Sequence, residues 1–203
     1  MDIYFSPLAC SLASRITLYE SGQDATFQKV DTKAGRTASG EDYRRINPKG
    51  LVPALRTDDG LVLTENAAIL QYLADRKPEA GLAPSGFARY QLQQWLSFIG
   101  SELHKTVFTP LLSPTWPADG KAKAKEDAAS RLAYLNEHLT GREWLLDDFS
   151  VADAYLAAVL NWNMAVKLDF SPYPAIQAYQ QRLMARPAVG KAMQEEFALF
   201  QPA

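Results

Sequence analysis

The chain of 203 residues has a single cysteine, Cys10. One cysteine excludes an internal disulfide and any zinc site built from several thiolates, and it is typical of a reducing compartment. The start of the chain also lacks the basic segment and apolar run of a signal peptide. We therefore expect a cytoplasmic protein without a metal site.

Long apolar runs and an excess of charge of one sign are also missing. The most apolar window, residues 151–168, is interrupted by Asp153, Asn161, Asn163 and Lys167, so it is too polar to span a bilayer. The 21 basic and 23 acidic side chains give a net charge of -2. Residues 1–76 carry 9 of the basic and 10 of the acidic side chains. Neither half offers a basic field for phosphates, so we expect neither nucleic-acid nor membrane partners.

The remaining composition, 47% apolar and 22% charged, is that of a globular protein. Residues 1–76 show the order strand, helix, strand, helix, strand, strand, helix, with strands at 2–5, 27–31, 51–56 and 61–64. Residues 77–86 hold two prolines and two glycines and are interpreted as a linker. Beyond them the periodicity is helical only, with a Pro-rich loop at 110–117 after the first long helix. The pattern predicts an α/β domain over 1–76 and an all-helical domain over 87–203.

Cys10 is the first candidate for chemistry. It follows a strand and opens a helix, where free backbone N–H groups and the helix dipole favour an anion and lower the pKa of a thiol. The structural alternative is a small buried apolar residue.

The loop before the third strand and the start of the next helix offer further candidates. Pro53 has no N–H to donate to a neighbouring strand, so it belongs at the edge of a sheet. A cis Val52–Pro53 bond would turn the backbone of Val52 towards an extended ligand. Most X–Pro bonds are trans, so an ordinary trans proline is the alternative. Asn66 can cap the helix or donate to a carboxylate, and Glu65 beside it can pair with an ammonium group.

One face of the first long helix in the second half carries Ser97, Ser101, His104 and Phe108, so polar groups recur along it. Glu102 and Lys105 add titratable groups, and the alternative is a solvated helix face. His138 lies in a strongly charged helix and is expected at the surface. Ser150 and Asp153 have the spacing of a reciprocal helix cap, so Asp153 is predicted to organise folding and to carry no chemistry.

These motifs, taken together and in this order, resemble the cytosolic glutathione S-transferases, most closely the bacterial beta class. The resemblance covers essentially the whole chain. It is carried by Tyr4–Ser11, Asn47–Leu55, Leu63–Asn66, Ser101–Lys105 and Ser150–Asp153. It implies a thioredoxin-like domain followed by an all-helical domain, a homodimer, and glutathione as co-substrate.

The resemblance also implies roles for the candidate residues. Cys10 would lie against the glutathione sulfur and could form a mixed disulfide with it, and the backbone of Val52, before a cis Pro53, would pair with the cysteinyl part. Glu65 and Asn66 would hold the γ-glutamyl group. Second-domain groups would complete the site, some of them across the dimer interface: Ser97, Ser101, Glu102 and His104.

Two departures from the family pattern concern the first domain. Phe5 stands where many relatives have tyrosine, so that phenol is missing. Gly35 stands where some beta-class members have a lysine for the glycyl carboxylate, and Lys33 or Arg36 are the possible substitutes.

The implied activity is attack of glutathione thiolate on a small hydrophobic electrophile. The candidate donors to the sulfur are the backbone N–H and the hydroxyl of Ser11, the N–H or the thiol of Cys10, and His104. The electrophile pocket is expected from Phe108, Leu111, Trp116, Trp162 and Met164, unless these belong to the core. Cys10 offers thiol transfer or peroxidase activity as a second route. A non-catalytic protein that binds ligands or a partner is the alternative, and a glutathione-dependent isomerase or dehalogenase is a third possibility.

Overall fold

A computed structural model describes residues 1–200. The first part of the chain forms a five-stranded sheet in the order β3-β2-β1-β4-β5. Its strands are β1 Asp2–Phe5, β2 Thr26–Asp31, β3 Arg36–Thr37, β4 Ala54–Arg56 and β5 Val62–Thr64. Strands β1 and β2 are parallel, and every other neighbouring pair is antiparallel. The sequence pattern had predicted the other four strands but not β3, which has only two residues.

The helices follow in chain order. They are α1 Leu12–Ser21, α2 Asn66–Asp75, α3 Phe87–Phe98, α4 Thr109–Leu112, α5 Ala118–Leu139, α6 Val151–Asn161, α7 Asn163–Val166, α8 Pro174–Ala185 and α9 Pro187–Leu199. Short 3₁₀ turns occur at Tyr43–Arg45 and Pro78–Ala80. Helix α6 is buried from Val151 to Leu160, so it is the central helix of the second part, and its near-continuous apolar sequence reflects that position. None of the helices in residues 1–200 is long and apolar enough to cross a membrane.

A wide helical segment, Ile99–Phe108, joins α3 to α4 without a break. Its hydrogen bonds run from residue i+5 to residue i, as in Thr109 N–H to the His104 carbonyl. The hydroxyls of Thr106 and Thr109 also donate to the carbonyls five residues earlier. The wider turn leaves room for Pro110, which has no N–H to donate and would clash in an ordinary helix interior. The prediction of a loop from Pro110 onwards is therefore wrong for residues 110–112, which belong to α4; the loop begins at Ser113.

The predicted cap at the start of α6 is confirmed. The Ser150 hydroxyl accepts from the Ala152 N–H, and the Asp153 carboxylate accepts from the Ser150 N–H at 2.9 Å. Asp153 also accepts from the Leu145 N–H and the Tyr179 hydroxyl, so this fully buried carboxylate ties three segments together. Asp153 is a structural residue, as the sequence indicated.

The sheet domain and the helices are joined by buried polar contacts around α1 and α9. The Arg15 guanidinium donates to the Glu196 carboxylate at 2.9 Å, and both side chains are almost fully buried. Glu196 also accepts from the Leu8 N–H at 2.8 Å, and the Leu8 carbonyl accepts from the Trp162 indole at 2.7 Å. Both backbone groups of Leu8 are therefore held by the helical part, and Leu8 has a φ of 60°. These contacts fix the loop that leads to Cys10.

Candidate active site

Cys10 lies in the turn between β1 and α1, two residues before the helix begins. Its thiol donates a hydrogen bond to the Val52 carbonyl at 3.3 Å. Burial raises the pKa of the Cys10 thiol to about 12, although the N–H groups of Cys10 and Ser11 act in the opposite direction. The prediction of a lowered pKa at this helix start is wrong, because the loss of solvation outweighs the backbone donors. Cys10 is a protonated hydrogen-bond donor at neutral pH.

The Ser11 hydroxyl has both of its hydrogen-bond partners within its own turn. It donates to the Ser6 carbonyl and accepts from the Ser6 N–H, and the residue is fully buried. The prediction that the Ser11 hydroxyl faces a substrate sulfur does not agree with this geometry. The hydroxyl instead closes the turn that carries Cys10.

A cavity of about 410 Å³ opens beside Cys10, and it is called the polar cavity because its partly apolar wall contains Glu65, Asn66 and Lys105. It brings together most of the residues that the sequence singled out in both parts of the chain. They are Cys10, Val52, Pro53, Glu65, Asn66, Ser97, Ser101 and His104. The Val52–Pro53 peptide bond is cis, as the resemblance implied. Lys105, which the sequence placed in the titratable cluster, also lines the cavity, as do residues that the sequence did not assign to a site: Asn47, Leu51, Ala67, Leu96, Gly100 and Tyr155.

Glu65 and Asn66 stand at the junction of β5 and α2. Asn66 does not cap the helix; its side-chain amide donates to the Cys10 carbonyl at 3.2 Å. Its other polar atom, Oδ1, is buried without a partner in residues 1–200. Glu65 has a φ of 72° and forms an exposed ion pair with Lys49 at 2.5 Å. The two residues thus place an acceptor and a carboxylate at one end of the cavity.

Three expected contacts to glutathione lie outside this cavity. Glu102 forms an ion pair with Arg131 at 2.7 Å instead of lining it. Lys33 and Arg36, the possible partners of a glycyl carboxylate, do not line it either, and the Arg36 guanidinium donates to the Gly40 carbonyl. Lys105 is the basic residue that does line the cavity.

His104 stands between the two parts of the protein. Its Nδ1 lies 2.8 Å from the hydroxyl oxygen of Tyr155, and its ring packs edge-on against Trp162. Burial, and to a lesser degree the charge of Lys105, lowers the pKa of His104 to about 4, so the ring is neutral at pH 7. A neutral imidazole has one donor and one acceptor nitrogen.

A second, largely apolar cavity of about 590 Å³ adjoins the first. Two residues, Cys10 and His104, line both cavities. The wall of the second cavity includes Pro7, Leu8, Thr109, Leu112, Asn161, Trp162, Met164, Ala165, Phe197 and Phe200. Because they line both cavities, Cys10 and His104 lie at the junction of the polar and the apolar cavity.

The electrophile pocket expected from the sequence is only partly correct. Trp162 and Met164 line the apolar cavity, but Phe108 is fully buried in the core and Leu111 packs against that core. Trp116 is exposed and lies against Gly120. The missed wall residues, Phe197 and Phe200, come from the end of the chain and are brought here by α9, for which no local motif gives a signal.

His138 does not line either of the two cavities beside Cys10. His138 was expected at the surface, but it is half-buried. Its ring packs on Trp95, and its Nε2 lies 2.9 Å from the Leu145 carbonyl oxygen. Within residues 1–200, no three or more His, Cys, Asp or Glu side chains are grouped so that they could hold a metal ion.

Known proteins resemble this chain along nearly its full length. Two family models match: "Glutathione S-transferase, N-terminal domain" over residues 9–76, and "Glutathione S-transferase, C-terminal domain" over residues 101–187. Glutathione S-transferase GstA of Escherichia coli O157:H7 is 46% identical over 97% of this chain and 98% of its own.

Two solved structures have the same fold. The sphingomonad glutathione S-transferase complexed with glutathione is 46% identical, with a TM-score of 0.92 over 97% of this chain and 99% of its own. The bacterial beta class enzyme of Sphingomonas chungbukensis is 43% identical, with a TM-score of 0.92 over 97% of this chain and 98% of its own.

Proposed function

Because the chain belongs to the glutathione S-transferases and matches their bacterial beta class, we propose that its two adjoining cavities divide the reaction between them. The protein is a glutathione-dependent transferase with the thioredoxin-like and all-helical architecture of that family. Glutathione occupies the polar cavity, and a small hydrophobic electrophile occupies the apolar one. The sulfur then lies where the cavities meet, at Cys10 and His104.

The meeting of a polar and an apolar cavity at one thiol and one neutral imidazole carries this proposal. At the polar end, the Glu65 carboxylate and the Asn66 Oδ1, which is unpartnered within residues 1–200, are suited to the γ-glutamyl ammonium, and the backbone N–H groups at the start of α2 are suited to its carboxylate. Lys105 supplies positive charge for an anionic ligand. At the apolar end, Trp162 and Met164 offer surface for an aromatic or aliphatic electrophile.

The chemical task is to keep the glutathione sulfur ionised. A thiol with a reference pKa of about 8.5 is only about 3% ionised at pH 7. Lowering that pKa by about two units corresponds to about 2.7 kcal/mol, and a hydrogen bond to a charged group contributes about 1.5–3 kcal/mol. One or two good donors are therefore enough.

Cys10 is suited to be one of these donors. With its pKa raised to about 12, the thiol keeps its proton at neutral pH. It can turn from the Val52 carbonyl to the anionic sulfur of glutathione, which is the stronger acceptor. The same raised pKa makes Cys10 a slow nucleophile towards disulfides, so conjugation is favoured over thiol transfer through Cys10.

The replacement of Cys10 tests this assignment. We expect Cys10→Ala to keep glutathione binding, to reduce conjugation of a chloronitrobenzene-type electrophile about tenfold or less, and to abolish thiol–disulfide exchange. Cys10→Ser, which keeps a donor, should recover part of the conjugation. Complete loss of conjugation in both variants, with glutathione still bound, would contradict the donor role.

The non-catalytic alternative is not supported, because relatives that match nearly the whole chain are transferases. If the protein is retained on glutathione resin but turns over no electrophile or peroxide, the non-catalytic alternative would be supported.

The assembly and the limits of the domains are further parts of the proposal. We propose a homodimer in which Ser97, Ser101 or Glu102 reaches the glutathione of the partner subunit, since the Glu102 carboxylate does not line the cavity of its own chain. Large exposed side chains such as Phe87 and Tyr90 offer surface for such contacts. Sedimentation velocity of the wild type and a Glu102→Gln variant, with glutathione affinity measured for both, tests this. We propose that residues 1–76 form the thioredoxin-like domain, 77–86 the linker and 87–203 the all-helical domain, of which 201–203 lie outside the described residues, and that the protein is cytoplasmic.

A further inference from the structure

The partner of His104 inside the protein is Tyr155, on the central helix α6. The Tyr155 side chain is almost fully buried, and its hydroxyl oxygen lies 2.8 Å from Nδ1 of His104. The side chain also reaches the wall of the polar cavity. It is thus the one member of that wall that contacts the imidazole through a hydrogen bond in residues 1–200.

The chemistry of the two groups decides which of them donates. Burial raises the pKa of Tyr155, so the phenol keeps its proton, and burial holds His104 neutral. A neutral imidazole has a proton on either Nδ1 or Nε2. A phenol O–H is a stronger donor than an imidazole N–H, and the bare imidazole nitrogen is a stronger acceptor than a phenol oxygen. Asn66 lies beside the Tyr155 hydroxyl, but its Oδ1 accepts no hydrogen bond from within residues 1–200. The preferred arrangement therefore has the Tyr155 O–H donating to a bare Nδ1, which leaves the proton on Nε2.

We propose that Tyr155 is a positioning residue that fixes the tautomer of His104, so that His104 presents an Nε2–H donor to the junction of the two cavities and does not act as a base there. The inference rests on the proposed function, because the group that receives this donor is the glutathione sulfur. In this arrangement His104 and the Cys10 thiol are two neutral donors directed at one anion. The proton of the glutathione thiol leaves to solvent instead of residing on His104.

Nitrogen-15 NMR of the imidazole groups tests the tautomer directly and does not depend on turnover. The chain has two histidines, His104 and His138, so a His138→Gln variant assigns both sets of signals. At pH 7 we expect the proton of His104 on Nε2 and the shift of a hydrogen-bonded, bare Nδ1. Tyr155→Phe should change the Nδ1 shift and introduce the other tautomer. A proton on Nδ1 in the wild type overturns the proposal.

A double-mutant cycle tests whether the hydroxyl acts on the reaction through His104. We expect Tyr155→Phe to lower kcat about three- to tenfold, which is the loss of one hydrogen bond, while the Kd for glutathione stays within about twofold. The same substitution should have no further effect in a His104→Gln background. An equal loss in both backgrounds, or an unchanged kcat in the single variant, overturns the positioning role.

Tyr179→Phe is the matched control for loss of a buried hydroxyl. Tyr179 donates to Asp153 and does not line either cavity. This variant should be less stable but should leave the His104 signals unchanged. If both tyrosine variants shift the His104 tautomer equally, the effect is general loosening of α6 and the proposal fails. Absence of transferase turnover in the wild type would overturn the proposed function and leave the NMR result standing.

Discussion

Glu196 makes the stability of the protein dependent on pH in a direction opposite to most carboxylates. Its side chain is fully buried between Arg15 and the Leu8 N–H. Burial raises the pKa of Glu196 from 4.5 to about 7, even though both partners act to lower it. A raised pKa means that the folded protein binds a proton more tightly than the unfolded chain. Stability from this group is therefore complete below pH 4.5 and is lost as the pH rises to about 7.

The magnitude follows from the size of the shift. A difference of about 2.5 pKa units, at about 1.36 kcal/mol each, corresponds to about 3 kcal/mol across this range. In the Glu196→Gln variant the side chain at this position does not titrate. We therefore expect the free energy of unfolding of the wild type, minus that of Glu196→Gln, to fall by about 3 kcal/mol between about pH 4.5 and pH 7. Arg15 stays charged in both proteins, so its own charge cancels in the difference.

Urea unfolding of both proteins at one fixed protein concentration, repeated at half-unit pH steps, measures this difference. The neighbouring Glu195→Gln is the matched control, because it removes a half-exposed carboxylate that also contacts Arg15. Its effect should be below about 1 kcal/mol. If the difference for Glu196 is constant, or grows as the pH rises, the reasoning from burial is refuted and the ion pair with Arg15 dominates.

Three further predictions concern the helical part. Asp153→Ala should lower the free energy of unfolding by about 3 kcal/mol in thermal or urea unfolding, because several buried donors lose their acceptor; an effect below about 1 kcal/mol would contradict the capping role. Met164→Ala should raise the KM for a hydrophobic electrophile about two- to tenfold in steady-state assays without changing that for glutathione. Met184→Ala, an exposed methionine outside the apolar cavity, is its control; equal effects would count against the cavity. Trp162→Phe keeps an aromatic ring but loses the indole N–H that donates to the Leu8 carbonyl. We expect the free energy of unfolding in urea to fall by about 1 kcal/mol. An unchanged free energy of unfolding would show that this contact contributes nothing.

The sequence predicted those features that depend on neighbouring residues. The four longer strands, the Ser150–Asp153 cap and the first helix after Cys10 follow from local pattern, and the structure has them. Resemblance to a known family then related Cys10, Glu65 and His104 to one site, although they lie far apart in sequence. The structure brings them to one cavity. Their roles there remain part of the proposal.

Features that depend on tertiary contacts were predicted poorly. Cys10 stands at a helix start, but its pKa follows from burial, which a local pattern does not report. The Ser11 hydroxyl has its partners in its own turn. Phe108 faces the core because the wide helical turns of Ile99–Phe108 change the direction in which residues four apart from one another point. Pro110 is compatible with a helix only because those turns are wide.

The attachment of the Cys10 loop to Glu196 has a consequence for biosynthesis. The loop near the amino terminus is synthesised early, but the carboxylate that receives the Leu8 N–H lies 188 positions later. A nascent chain on the ribosome therefore lacks this anchor until residue 196 has left the exit tunnel. The loop around Cys10 should therefore take up its final arrangement only after residue 196 has been translated, and chains that stop before this residue would carry the cysteine without that anchor.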